Sequence, residues 1–182
     1  MSTKYKFRNP DGIYFITFAV VEWVDVFTRP VYKNLIIENL TYCTMYKGLN
    51  LHAYVIMSNH IHLVASAERG ALLQNILRDF KKFTAYKLIG LILEINESRK
   101  EWMIQIFKNC GSKNPNNTKY QFWRQDNHPI ELTDNRMMDQ KVNYIHNNPV
   151  AAGIVAEPEH YLYSSARNYA NVEFLMDIEM IE

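Results

Sequence analysis

Ala53-Tyr54-Val55-Ile56-Met57-Ser58-Asn59-His60-Ile61-His62-Leu63-Val64 is an apolar, β-branched and aromatic run broken once, at Ser58-Asn59. Residues of these types favour strands. A Ser-Asn step between two such runs reads as a hairpin turn or a bulge. Leu49–Met57 is therefore expected to form one strand and His60–Ala67 the next. Side chains alternate along a strand, so His60 and His62 project from one face and can converge on a single divalent metal ion. Ile61, Leu63 and Val55 are expected to face the core. Taken alone, a His-x-His strand is more often structural than metal-binding, so its meaning depends on what accompanies it.

Outward from this run, Ile13–Val21 has the loose alternation of a strand. Thr28-Arg29-Pro30 punctuates the chain, and Val31–Lys47 follows with apolar residues at helical spacing, stopped by Gly48. Leu72–Leu93 is a strong amphipathic helix with Leu72, Leu73, Ile76, Leu77, Phe80 and Phe83 on one side. Arg78, Lys81 and Lys82 lie on another. Trp102–Phe107 is apolar and ambiguous, Gly111–Asn117 is a loop, and Tyr120–Arg124 reads as a short strand. Thr133 is expected to cap a helix running to about Asn147 and ended by Pro149 and Gly153. The order β, α, β, β, α, β, α predicts an α+β fold, a ferredoxin-like antiparallel sheet with helices packed on one face.

The 182 residues suit a single domain, with a core over about 12–170 and an acidic C-terminal tail over about 171–182. No apolar run is long enough for a transmembrane helix, and Met1–Lys6 carries no apolar signal segment. Cys43 and Cys110 stand apart, which fits a reducing compartment. The net charge of +1 conceals an uneven distribution. Residues 1–68 carry +1, residues 69–124 carry +7 and residues 125–182 carry −7. A basic middle third suits a phosphate backbone, although a solvated lysine-rich helix face has the same composition.

A second segment gives the histidine pair a context. In Tyr144-Ile145-His146-Asn147-Asn148-Pro149-Val150, Tyr144 and Asn148 are four residues apart and share a helical face. If that face packs over the sheet beside His60 and His62, two imidazoles, an amide oxygen and a phenol meet. The first three form a nitrogen/oxygen metal site with open positions, and the phenol is a candidate nucleophile. Bland alternatives stand beside this reading. Tyr144 is one of twelve tyrosines, and Asn148-Pro149 is also an ordinary helix-ending turn. His146, about 200° around the helix from Tyr144, is expected on the exposed surface.

The residues resemble a known family. Tyr-Val-Ile-Met-Ser-Asn-His-Ile-His-Leu (54–63) resembles the histidine–hydrophobe–histidine (HUH) motif of single-tyrosine transposases. Tyr144-Ile145-His146-Asn147-Asn148-Pro149-Val150-Ala151-Ala152-Gly153-Ile154-Val155 resembles their tyrosine-helix signature. Tyr161-Leu162-Tyr163-Ser164-Ser165 resembles the Tyr-Pro-Trp-Ser-Ser segment that follows it. Tyr14-Phe15-Ile16-Thr17-Phe18 is similar to the family's first strand, and Phe122-Trp123-Arg124-Gln125 to its Leu-Trp-Gln segment. The resemblance spans about residues 12–170 and is greatest to the REP-associated tyrosine transposases. Ser58 stands where proline is common, Leu162-Tyr163 replaces Pro-Trp, and the stretch leading into Gly111–Asn117 is long.

The resemblance implies an HUH endonuclease fold and a transposase that nicks and rejoins single-stranded DNA at hairpin-associated sequences. Tyr144 would be the nucleophile, forming a 5′-phosphotyrosine link. His60, His62 and Asn148 would hold Mg²⁺ or Mn²⁺. It also implies a bacterial cytoplasmic location, at the nucleoid when DNA-bound, no membrane partner, and a monomer or a homodimer. Chemistry adds Arg78, Lys81, Lys82, Trp123 and Arg124 as candidate contacts to DNA. An alternative is a domesticated hairpin-binding protein that keeps the fold without mobilising an element. Replication initiators and relaxases are a third class, but initiators often carry two tyrosines on the nucleophile helix, and Thr133–Asn148 has one. An unrelated hydrolase would need further ligands, for which Asp126, Asp134 and Asp139 are available without a recognisable spacing.

Overall fold

The apolar run around the histidines folds back on itself at Ser58-Asn59. In the computed structural model, which describes residues 7–115, 119–125 and 127–181, Met57 N–H closes this turn on His60 O at 2.9 Å. The N-terminal stretch read for a signal, part of the Gly111–Asn117 loop and Asp126 lie outside the described residues. The two arms are β2 (Leu49–Ile56) and β3 (His60–Ala67), antiparallel with Val55 opposite His62. β1 (Ile13–Ala19) pairs with the other edge of β3 and sets Thr17 opposite His62. β4 (Ile130–Leu132) pairs antiparallel with β1, completing the order β2-β3-β1-β4.

Strand alternation divides the sheet into two faces. Tyr14, Ile16 and Phe18 point to one face and are all buried. Phe18 stacks on Phe80 of α2 (Leu73–Glu94) at 5.7 Å between ring centroids. α1 (Pro30–Tyr46) packs against α2 and β2. These two helices form the helical layer expected from the sequence on this face, and a further helix lies on the other. Phe15 and Thr17 point to the opposite face with His60 and His62, and α4 (Asn135–Ala151) lies over that side. Val55, opposite His62, is buried on the histidine side rather than beneath α2.

Three local expectations change. The ambiguous apolar segment belongs to α3 (Lys100–Ser112), which buries Met103, Ile104 and Phe107 along one stripe. Tyr120–Arg124 makes only an isolated bridge, Val20 to Trp123, and the fourth strand is Ile130–Leu132. A three-residue strand is too short to carry a periodic signature. α4 is capped by Asp134, whose carboxylate accepts from Met137 N–H at 2.8 Å, and it continues through Pro149 to Ala151. It ends when Gly153 adopts φ 69°. Gly153 N–H then bonds Val150 O and Ile154 N–H bonds Pro149 O, both at 2.9 Å. That Schellman arrangement is the stop, and Pro149 loses only one intrahelical donor.

The acidic tail has a structural position. Glu179 N–H bonds Leu51 O at 2.9 Å, and His52 Nδ1 meets Glu179 O at 2.8 Å, where the β2–β3 register shifts. The tail thus shields the outer edge of β2, a place where an unpaired strand would otherwise invite association.

Candidate active site

His60 and His62 sit two residues apart on β3, with ring centroids 4.7 Å apart. The protein fixes both imidazoles from behind. Asn59 Nδ2 donates to Asp25 Oδ1 at 2.9 Å and to Trp23 O at 3.3 Å, both pure acceptors, so its Oδ1 must be the atom facing His60. That oxygen lies 2.7 Å from His60 Nδ1. A carbonyl oxygen can only accept, so Nδ1 carries the proton and Nε2 presents a lone pair. His62 Nδ1 lies 2.8 Å from Thr17 Oγ1, which can accept in the same way. Such outer contacts set the tautomer of metal-binding histidines.

Burial keeps both rings neutral. It pushes the His62 pKa down to about 3, and the neighbouring His60 and the Lys141 ammonium also disfavour its protonation. It lowers His60 as well, against the opposing pull of Asp25. Among the described residues, no group of three or more His, Cys, Asp or Glu side chains could hold a metal. The donors that the geometry brings together are the two imidazoles, and Asn148 is partly buried one turn beyond Tyr144. Two imidazole nitrogens fit a divalent ion that takes oxygen ligands, water or phosphate in its remaining positions, rather than a closed structural site.

α4 brings Tyr144 to this pair within the same chain. Its ring centroid is 5.3 Å from that of His62 and 5.9 Å from that of Phe15, and the residue stays 49% exposed. Lys141, one turn earlier, places its ammonium 4.8 Å from the Phe15 ring and 5.7 Å from the Tyr144 ring. A cation there suits a phosphate or a developing phenolate. Sequence reading missed Lys141, Asn59, Asp25 and Thr17. Asn59 could have been suspected from its place beside His60, and Lys141 from its place one turn before Tyr144, whereas Asp25 and Thr17 reach the site only through tertiary contact.

The far side of α4 explains the Ser164-Ser165 segment. Tyr54 N–H donates to Ser165 Oγ at 2.9 Å, and Ser165 Oγ donates to Tyr54 O at 3.2 Å. With the hydroxyl proton committed, His146 Nε2–H donates to Ser165 Oγ at 2.9 Å. His146 is therefore not on the surface as expected. It is 8% exposed, and burial pushes its pKa down to about 4. The helix carrying the tyrosine is pinned to β2 by this contact and by buried Val142, Ile145 and Pro149.

No protein-family model matches the chain, and no curated protein matches it. Among solved structures, a REP-associated tyrosine transposase bound to a REP hairpin aligns with a TM-score of 0.64. The alignment covers 100% of this chain and 95% of that one at 17% identity. This chain has the fold of a tyrosine transposase. A protein provisionally named a transposase, from Deinococcus radiodurans R1, aligns over 80% of this chain and 97% of its own at 18% identity, with a TM-score of 0.46.

Within this transposase fold the expected DNA contacts divide. Trp123 is a core residue, and the expectation that it stacks on bases is corrected. It is 5% exposed, stacks on Phe27 at 5.8 Å and donates from Nε1 to Thr84 Oγ1 at 3.1 Å. Lys81 donates to Arg124 O at 2.7 Å and Asn127 Oδ1 at 2.6 Å, tethering the segment before β4. Arg78 pairs with Asp79 at 2.9 Å on the exposed side of α2, where Lys82 is also exposed. The sheet separates α2 from the histidine face, so these residues do not join the site. Arg124 does approach it, with its guanidinium 5.4 Å from the ring of Trp23, which in turn lies 6.0 Å from the His60 ring. Glu22 and Trp23 hold φ values of 52° and 54°, left-handed conformations that cost a side-chain-bearing residue about 1–3 kcal/mol each.

Among the described residues, no helix is long and apolar enough to cross a membrane.

Proposed function

We propose that this protein is a transposase that nicks and rejoins single-stranded DNA through Tyr144, at sequences associated with a hairpin. The observation that carries the reading is the approach of Tyr144 to His62, 5.3 Å between ring centroids, over a histidine pair whose Nδ1 atoms are both engaged from behind. The hairpin partner is suggested by the transposase of the same fold, which was solved bound to a REP hairpin.

His60 and His62, with Asn148, would hold Mg²⁺ or Mn²⁺, which supplies Lewis-acid polarisation of a phosphoryl oxygen. Tyr144 Oη attacks the scissile phosphorus, a tyrosine–phosphate bond forms, and the bond to the 3′-oxygen breaks. The phenol gives up one proton and the departing 3′-oxygen takes one, so the step balances without a nucleotide cofactor. The 3′-hydroxyl of another strand reverses the same step and completes transfer. Lys141 offsets negative charge beside the phenol, and the half-exposed position of Tyr144 lets a strand reach it.

The test is a gel assay for covalent adduct with labelled hairpin oligonucleotides from the DNA flanking the gene, with Mg²⁺ or Mn²⁺. A metal-dependent, protease-sensitive adduct is expected, lost in Tyr144→Phe and His62→Ala. Hairpin binding with no adduct under any metal would overturn the enzymatic reading and leave a binding protein.

A further inference from the structure

Trp23 has no part in the chemistry above, yet its position is unusual. It is 51% exposed, its ring stands edge-on to His60 at 6.0 Å and 81°, and its backbone is held at φ 54°. The guanidinium of Arg124 lies over the ring at 5.4 Å. Asn59, the residue that sets the His60 tautomer, also donates to Trp23 O. Beside Trp23 opens a cleft of about 700 Å³, lined by this residue with Glu22, Cys110, Lys113, Gln121 and Arg124. The volume is that of a small-ligand site. An exposed indole backed by a cation, in a left-handed conformation that buried neighbours must impose, is expected where a site needs the ring.

We propose that Trp23 is a stacking platform for an unpaired nucleobase next to the scissile phosphate, and that the strand continues over it into the cleft. This rests on the single-stranded DNA reading given above. The base packs on the indole, Arg124 holds the ring from the other side, and Lys113 and Arg124 provide positive charge for the backbone. Glu22, the carboxylate in the cleft, lies 3.9 Å from Cys110 Sγ and disfavours phosphate at that end. Stacking is tolerant of sequence because every base has a π-face, so the platform seats whichever unpaired nucleotide flanks the cut.

The test uses two labelled oligomers of equal length and charge, an oligothymidylate and the same deoxyribose-phosphate backbone without bases. Binding to the full chain carrying Tyr144→Phe is followed by fluorescence anisotropy, so no covalent step intervenes. Oligothymidylate is expected to bind roughly 5- to 150-fold more tightly than the abasic backbone, the measured range for one aromatic–base stack. Adding Trp23→Gly should abolish that preference while leaving abasic affinity unchanged, and Trp23→Phe should keep most of it. Glycine takes φ 54° more readily than tryptophan, so thermal melting should show no backbone penalty. An undiminished base preference in Trp23→Gly overturns the proposal. A second readout needs no change at Trp23. In Trp102→Phe the tryptophans are Trp23 and the buried Trp123, and oligothymidylate but not the abasic oligomer should quench the exposed indole. Absence of quenching also overturns it. A base preference that depends on Trp23, without any Tyr144 adduct in wild type, retains the platform and removes the nuclease. Failure to bind either oligomer removes both.

Discussion

Replacing Glu97 with glutamine tests how the loop bearing Trp23 and Asp25 is held. Glu97 is 7% exposed. Its carboxylate accepts from Arg99 N–H and Nε at 3.1 Å and from Tyr32 Oη at 3.1 Å, and it lies 3.6 Å from Arg29. Burial alone would raise its pKa, but the hydrogen bonds from Arg99 and Tyr32 outweigh it and hold the carboxyl down at about 2, against an ordinary 4.5. A gap of about 2.5 at 1.36 kcal/mol per pKa unit corresponds to about 3 kcal/mol. This agrees with the low end of the cost of breaking a buried ion pair, as expected with Arg99 partly exposed. Because the folded pKa lies below the unfolded one, this stability is fully present above about pH 5 and disappears as the pH falls through 2. In urea denaturation near neutral pH, Glu97→Gln should be less stable by about 3 kcal/mol, and the two proteins should converge as the pH approaches 2. Arg99 also donates to Asp25 O at 2.7 Å and Thr28 Oγ1 at 3.0 Å, so the loop bearing Trp23 and Asp25 should loosen with it. Parallel stability curves for the two proteins across this pH range would refute the reasoning.

Further outcomes follow from the site. Asn59→Ala removes the acceptor that fixes His60, so Mn²⁺ affinity measured by calorimetry should fall about 10- to 100-fold. Affinity equal to wild type would mean that the tautomer is set elsewhere. Because Tyr144 and His62 meet within one chain, a mixture of Tyr144→Phe and His62→Ala proteins should form no DNA adduct. Adduct formation by the mixture would show that the tyrosine helix is exchanged between subunits. Trp123→Ala should lower stability by about 3–5 kcal/mol in chemical denaturation, the usual cost of emptying a large core site. A surface-like loss below about 0.5 kcal/mol would contradict its burial.

Patterns within a single element could be read from residue order. The two-residue period placed His60 and His62 on one strand face, the four-residue period placed Tyr144 and Asn148 on one helix face, and Gly153 marked the helix end. Where length or composition was uninformative, reading failed. β4 has three residues, and Pro149 sits in a final turn rescued by bonds formed beyond it. Trp123 and Trp23 show the limit most clearly. Both are tryptophans beside polar residues, and nothing local distinguishes the core ring from the exposed one.

By itself, then, the sequence determined which residues share a face, because strand and helix periods are local properties of the backbone. Only the tertiary structure decided which faces meet. It laid α4 on the histidine side of the sheet and set the Lys141 ammonium over Phe15. It also drew Asp25 and Asn59 behind His60 and turned Trp23 outward while burying Trp123. Those relations depend on how amphipathic surfaces exclude water together, a property of the whole packed chain that no single segment carries.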